Sequence, residues 1–127
     1  MVIGGGNVAI DCVRCSLRIH KEDVNLVYRR SRKEMPADSW EVDGADEEGV
    51  KFELMASPTR IIGNDEGWVT GIECQMMELG EADASGRRRP TAIPDSEYIV
   101  DCDMVVVAIG TRSNPMLTSS EPDLRIN

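Results

Sequence analysis

Met1-Val-Ile-Gly-Gly-Gly-Asn-Val-Ala9 is the stretch that decides the fold. Its first three residues read as a strand end, Gly4-x-Gly6-x-x-Ala9 as a tight turn, and the residues beyond as a helix. Gly4 permits the turn out of the strand. Gly6 lets the backbone come close to a pyrophosphate, and Ala9 keeps the helix near the strand. The N–H groups that open the helix, helped by its dipole, would face the phosphates. Such a glycine pattern is weak alone; here a strand precedes it and a helix follows.

The helix is expected over residues 7–19, with Val8, Cys12, Cys15 and Ile19 forming its apolar face. A polar turn, residues 20–23, contains His20, which reads as a surface residue near a helix C-terminus. Residues 24–28 form the second strand, followed at once by Arg29, Arg30, Arg32 and Lys33. An NAD-binding domain places an acidic residue about 20 residues after the glycines, to hold the ribose 2′-hydroxyl. This chain has Tyr28-Arg29-Arg30 there instead. A phosphate ester near neutral pH carries roughly −1.5 to −2 charges, which the arginine fork suits. One of Arg29 and Arg30 is expected on a 2′-phosphate, with the other stacked on adenine or facing solvent. The competing reading is a solvated turn.

Met35-Pro36 is expected to open a second helix, with Pro36 in its first turn and Gly49 just past its end. Residues 50–55 read as a third strand. Segments 59–62, 68–79 and 98–101, with a turn at 64–67 and a polar loop over 80–94, read as a three-stranded antiparallel meander in place of a crossover helix. Residues 104–109 read as a fully buried strand ending at Gly110, and residues 111–127, with Ser113-Asn114-Pro115, as a weakly patterned tail. The expected fold class is α/β: a three-layer Rossmann-like NAD(P)-binding domain, a parallel sheet plus the meander.

The chain has 127 residues, 41% of them hydrophobic, and a net charge of −9. That charge argues against nucleic acid. The acidic blocks at 41–48 and 78–83 read as solvated faces. No apolar stretch approaches the roughly 20 residues of a membrane helix, and no signal peptide is visible, so a soluble, cytoplasmic protein is expected. Of the four cysteines, Cys12, Cys15, Cys74 and Cys102, the Cys12-x-x-Cys15 pair lies inside the helix without a second such pair, so all four read as buried, ordinary thiols. Trp40 and Trp68 read as packing residues, and Arg87-Arg88-Arg89 as flexible surface, with docking the alternative. No nucleophile–base pair, metal cluster or carboxylate dyad stands out. No catalytic or metal-binding residue is therefore assigned, and the chemistry is left to a cofactor.

Four segments carry a resemblance: Val2-Ile-Gly-Gly-Gly-Asn-Val-Ala-Ile-Asp11, Val27-Tyr-Arg-Arg-Ser-Arg-Lys-Glu-Met-Pro36, Met77-Glu-Leu-Gly-Glu-Ala-Asp-Ala-Ser-Gly-Arg-Arg-Arg-Pro90 and Val105-Val-Val-Ala-Ile-Gly110. Together they resemble the NADPH-binding domain of the glutamate synthase small (beta) subunit family, among the FAD-dependent pyridine-nucleotide oxidoreductases. The resemblance implies that NADPH passes a hydride to FAD on another domain, that electrons continue to iron–sulfur clusters, and that a large catalytic subunit is a partner. It implies that Gly4, Gly5, Gly6, Asn7 and Val8 line the pyrophosphate and that Arg29 and Arg30 hold the 2′-phosphate. Ala108, Ile109 and Gly110 would pass near the nicotinamide. No FAD fingerprint and no cluster-binding cysteine set accompany these segments. The expectation is thus a domain, residues 1–115, excised from a larger flavoprotein, with residues 116–127 leading back to the FAD domain and no turnover alone. The alternatives are an NADPH-dependent ferredoxin reductase-type subunit, a domain that accepts NADH, and a non-catalytic nucleotide-binding or docking module.

Overall fold

Alternation along two short strands sorts the core into two sides. In the computed structural model, which describes residues 1–20, 23–82, 84, 86–111 and 116–121, strand β1 (Val2–Ile3) pairs in parallel with β2 (Asn25–Tyr28), so that Val2 lies beside Leu26 and Ile3 beside Val27. Val2 and Leu26 belong to the cluster on the helical side, and Ile3 and Val27 to the cluster under the meander. Strands β3 (Lys51–Leu54) and β7 (Val106–Val107) complete a parallel sheet of order β3-β2-β1-β7. Helices α1 (Asn7–His20) and α2 (Ser39–Glu47) pack on the first side. The antiparallel meander of β4 (Ala56–Gly63), β5 (Val69–Ala82) and β6 (Arg88–Asp101) covers the second with Ala56, Ile72 and Cys74. This is the expected three-layer α/β fold.

Several local expectations are overturned. Helix α1 buries Ala9, Ile10 and Val13, while Val8 and Ile19 are 66% and 74% exposed, Cys15 is exposed and Cys12 half-buried. Both sets of positions recur at helical spacing. The choice follows from Ala9, which must face the strand for the glycine turn to close, and this sets the rotation of the whole helix. Helix α2 starts at Ser39, not at Pro36, and a single 3₁₀ turn over Arg32–Glu34 precedes it. Met35 is extended, as the residue before a proline prefers to be. The C-terminus behaves as expected: Gly49 takes a φ of +99°, and the N–H groups of Gly49 and Val50 close onto the carbonyls of Asp46 and Ala45.

The polar segment 80–94 is mostly strand. Strand β5 runs to Ala82 and β6 begins at Arg88, with Leu79 opposite Pro90 and Met77 opposite Ala92. The prolines are tolerated because β6 is an edge strand, and Pro94 falls where the register shifts. The expected buried strand at 104–109 reduces to β7 at the edge of the parallel sheet, with Met104, Val107 and Ile109 exposed. Trp40 and Trp68 are both 67% exposed, so neither is a packing residue. The acidic block of α2 is engaged: Glu41 and Glu48 clasp Arg14 of α1, while Asp43 and Asp46 each lie 2.8 Å from Arg32. In the tail, Met116–Ser120 is a short helix, α3. Ser113-Asn114-Pro115, residues 122–127 and the turn at Lys21-Glu22 lie outside the described residues. Among the described residues, no helix is long and apolar enough to cross a membrane.

The rotation of α1 is directly testable. Ile10→Ala should destabilise the fold by about 2–5 kcal/mol, as a buried large-to-small change does. Val8→Ala should stay within about 0.5 kcal/mol, as an exposed change does. Urea unfolding of the two variants checks this, and equal losses would contradict the assigned face.

Candidate functional site

The three glycines after β1 are constrained in three different ways. Gly4 has a φ of +146°, and a Cβ there would lie 2.3 Å from the carbonyl oxygen of Ala108. A Cβ on Gly5 would lie 2.6 Å from the ring of Tyr28, whose hydroxyl donates to the Glu34 carbonyl at 2.7 Å. At Gly6 the nearest atom to a Cβ would be Pro36 Cγ, at 3.9 Å. Protein packing therefore explains Gly4 and Gly5 but not Gly6, where the space opens into a cleft. The first N–H groups of α1 lack carbonyl partners within the helix and sit at its positive end.

That cleft, about 720 Å³ in volume, brings together all ten residues singled out from the sequence: Gly4, Gly5, Gly6, Asn7, Val8, Arg29, Arg30, Ala108, Ile109 and Gly110. They come from the β1–α1 turn, the end of β2 and the end of β7. The segment before α2 forms one rim. The Ala37 N–H donates to the Gly5 carbonyl at 3.1 Å. The Asn7 side chain accepts from the Asp38 N–H at 2.9 Å and donates to the Asp38 carboxylate at 3.1 Å. Pro36, expected inside a helix, lines the cleft instead.

Arg29 is exposed, whereas Arg30 is buried and its Nε donates to the Arg88 carbonyl at 2.7 Å. The main chain is tied at the same place, since the Met55 N–H donates to the Arg30 carbonyl at 3.2 Å. Met55, with a φ of +57°, turns the chain from the parallel sheet into the meander. The start of the Arg87–Arg89 run is thereby held at the site, while Arg89 stays exposed. Arg88 Nε donates to the buried Glu34 carboxylate at 2.9 Å, and Arg87 lines the cleft. Sequence reasoning missed Arg87, Tyr28 as the wall behind Gly5, and Ser57 and Pro58 of β4, which also line the cleft. The signals for Arg87 were the basic run itself and its place in the 77–90 segment that carries the resemblance. Among the described residues, the charged side chains lining the cleft are three arginines, and no carboxylate joins them.

Comparison with known proteins sets this geometry in a family. A model of the pyridine nucleotide-disulphide oxidoreductases matches residues 1–126. The chain belongs to that family. It is 63% identical over 110 residues to the NADPH-Fe(3+) oxidoreductase subunit beta of Geobacter sulfurreducens, covering 87% of this chain and 16% of the relative. It is 43% identical over 116 residues to the glutamate synthase [NADPH] small chain of Escherichia coli, covering 91% of this chain and 25% of that one. The chain thus spans a quarter or less of the length of these relatives. Among solved structures, Mycobacterium tuberculosis FprA in complex with NADPH superposes with a TM-score of 0.73 at 19% identity, over 90% of this chain and 39% of that one. The latter likeness concerns the fold.

In this oxidoreductase domain, the Ser31 hydroxyl and then the Arg88 guanidinium hold the Glu34 carboxyl below the ordinary carboxylate range. A carboxylate lowered in this way stabilises the fold fully above its unfolded value, and the contribution is lost as pH falls through the native one. Glu34→Gln should cost about 1 kcal/mol at neutral pH. The gap to the unaltered protein should close in acid below the carboxylate range. Urea midpoints measured across that range check it, and a gap that stayed constant would remove Glu34 from the acid response.

Proposed function

We propose that the chain is the NADPH-binding domain of a larger flavin-dependent oxidoreductase. The observation that carries this reading is the cleft, where an unfilled space at Gly6 meets a helix N-terminus and three arginines. The chemistry that NADPH would supply there is a hydride for FAD on a neighbouring domain, with iron–sulfur clusters as the electron carriers beyond it. Gly6 and the opening N–H groups of α1 would hold the pyrophosphate. Arg29, with Arg30 fixed beside it, would take the 2′-phosphate, where a carboxylate would repel it. Ala108, Ile109 and Gly110, beyond β7, would set the nicotinamide end. Residues 1–115 form this domain, and the chain from 116 onward leads to the flavin-bearing part.

Two classes of acceptor fit. The higher identity to the NADPH-Fe(3+) oxidoreductase subunit supports an electron-transfer subunit of that type, with glutamate synthesis alongside a large catalytic subunit as the second reading. Both relatives are subunits by name, which supports a partner chain. The reading includes a cytoplasmic location.

Calorimetric titration with NADP⁺ and with NAD⁺ tests the assignment, and NADP⁺ should bind at least about 10-fold more tightly. Equal affinities would favour the NADH-accepting domain; no binding of either would mean that the site needs the flavin-bearing domain or that the glycine turn is structural, and the full-length protein separates those two. Gly6→Ala separates ligand space from fold. Its φ lies outside the left-handed region and the nearest atom leaves room, so stability should stay within about 1 kcal/mol. NADP⁺ affinity should nonetheless fall by about 10-fold or more, because the methyl group takes the place of the phosphate. A variant that binds as before would dissociate Gly6 from the cofactor.

A further inference from the structure

We propose that Arg87 is a specificity-determining residue for the cofactor's 2′-phosphate, an inference that rests on the cleft being an NADPH site. Arg87 is the last residue of the connection between the two long meander strands, far along the chain from the end of β2, yet it lines the same cleft as Arg29 and Arg30. Its neighbours are directed elsewhere. Arg88 pairs with Glu34 at 2.9 Å, and Arg89 is exposed and does not line the cleft.

The second observation is how the hairpin is held. Arg30 donates through Nε to the carbonyl of Arg88, 58 residues away, at 2.7 Å. The Arg88 side chain is tied to a carboxylate that is 7% exposed and is itself held by the Ser31 hydroxyl. The backbone next to Arg87 is therefore ordered by the fold before any ligand arrives, which lowers the entropy lost on binding. Arg30, Arg88 and Glu34 act as positioning residues. They bring a cation from the meander to the end of β2, where the ribose 2′-substituent sits in this type of domain.

The third observation is charge. In a protein of net charge −9, three arginines line this one cleft. A dianionic phosphate is the part of the cofactor that such a cluster suits, and NAD⁺ lacks it. Arg87 then adds a charge-assisted contact that discriminates between the two nucleotides.

In the full-length protein, NADP⁺, NAD⁺ and adenosine 2′,5′-bisphosphate are titrated into the unaltered form and into Arg87→Ala, Arg87→Lys and Arg89→Ala. Arg87→Ala should weaken NADP⁺ and the bisphosphate by about 10- to 30-fold and leave NAD⁺ within about 2-fold. Arg87→Lys should retain part of the preference, because it keeps the charge and loses the fork. Arg89→Ala removes the same charge outside the cleft and should leave all three affinities unchanged. Three results would overturn the proposal: an unchanged NADP⁺ affinity in Arg87→Ala, equal weakening of NADP⁺ and NAD⁺, or the same selective loss in Arg89→Ala. An unaltered protein that binds NADP⁺ and NAD⁺ alike, or neither, would overturn the cofactor reading itself. A preference for NADP⁺ left undiminished by Arg87→Ala would overturn the role of Arg87 alone, since Arg29 and Arg30 remain in the cleft.

Discussion

Between Gly4 and the Ala108 carbonyl there is no room for a side chain, since a Cβ would sit 2.3 Å from the oxygen. Three chain segments meet at that point. The Gly4 N–H donates to the Val27 carbonyl of β2, and the Ala108 N–H donates to the Ile3 carbonyl of β1. The end of β7, the end of β2 and the start of α1 are held within one turn of each other because position 4 has no Cβ. The cleft is the space these three ends enclose. Ala9, fully buried beneath them, fixes how α1 is rotated, and through α1 the helical half of the core.

A second constraint acts at the opposite rim. Glu34 is buried, and it draws a hydroxyl and a guanidinium to itself from Ser31 and Arg88. Leaving such a carboxylate unpaired would be costly, so its pairing couples two distant segments. The 3₁₀ turn after β2 is thereby joined to the first residues of β6. Arg30 reinforces the join from below through the Arg88 carbonyl. A structural ion pair and the electrostatics of the cleft are thus parts of one arrangement: Arg88 neutralises Glu34, and the adjacent Arg87 lines the cleft.

Part of this was legible in the chain. The glycine turn, the basic residues after the second strand, the helix stop at Gly49 and the replacement of a crossover helix by a meander are local signals, each set by backbone conformation or nearest-neighbour chemistry. The helix face was not legible. Val8, Cys12, Cys15 and Ile19 have the same period as Ala9, Ile10, Val13 and Leu17, and periodicity alone cannot choose between two apolar stripes. The start of α2 was misplaced because Pro36 satisfies the rule for a first turn, while hydrogen bonds from Ala37 and Asp38 to the glycine turn hold that segment extended.

The sequence by itself determined that a strand, a glycine turn and a helix follow one another, and that arginine stands where an NAD-binding domain carries an acid. Those properties belong to a few adjacent residues and survive any arrangement of the rest. Only the tertiary structure decided which arginines share the cleft. Arg32 carries the same charge as Arg29 and lies nearer to it than Arg87 in sequence, yet it is turned towards Asp43 and Asp46 of α2. Arg87 arrives from a remote hairpin because a buried carboxylate anchors its neighbour. Contacts across such a separation depend on how the layers stack, and no local pattern encodes that.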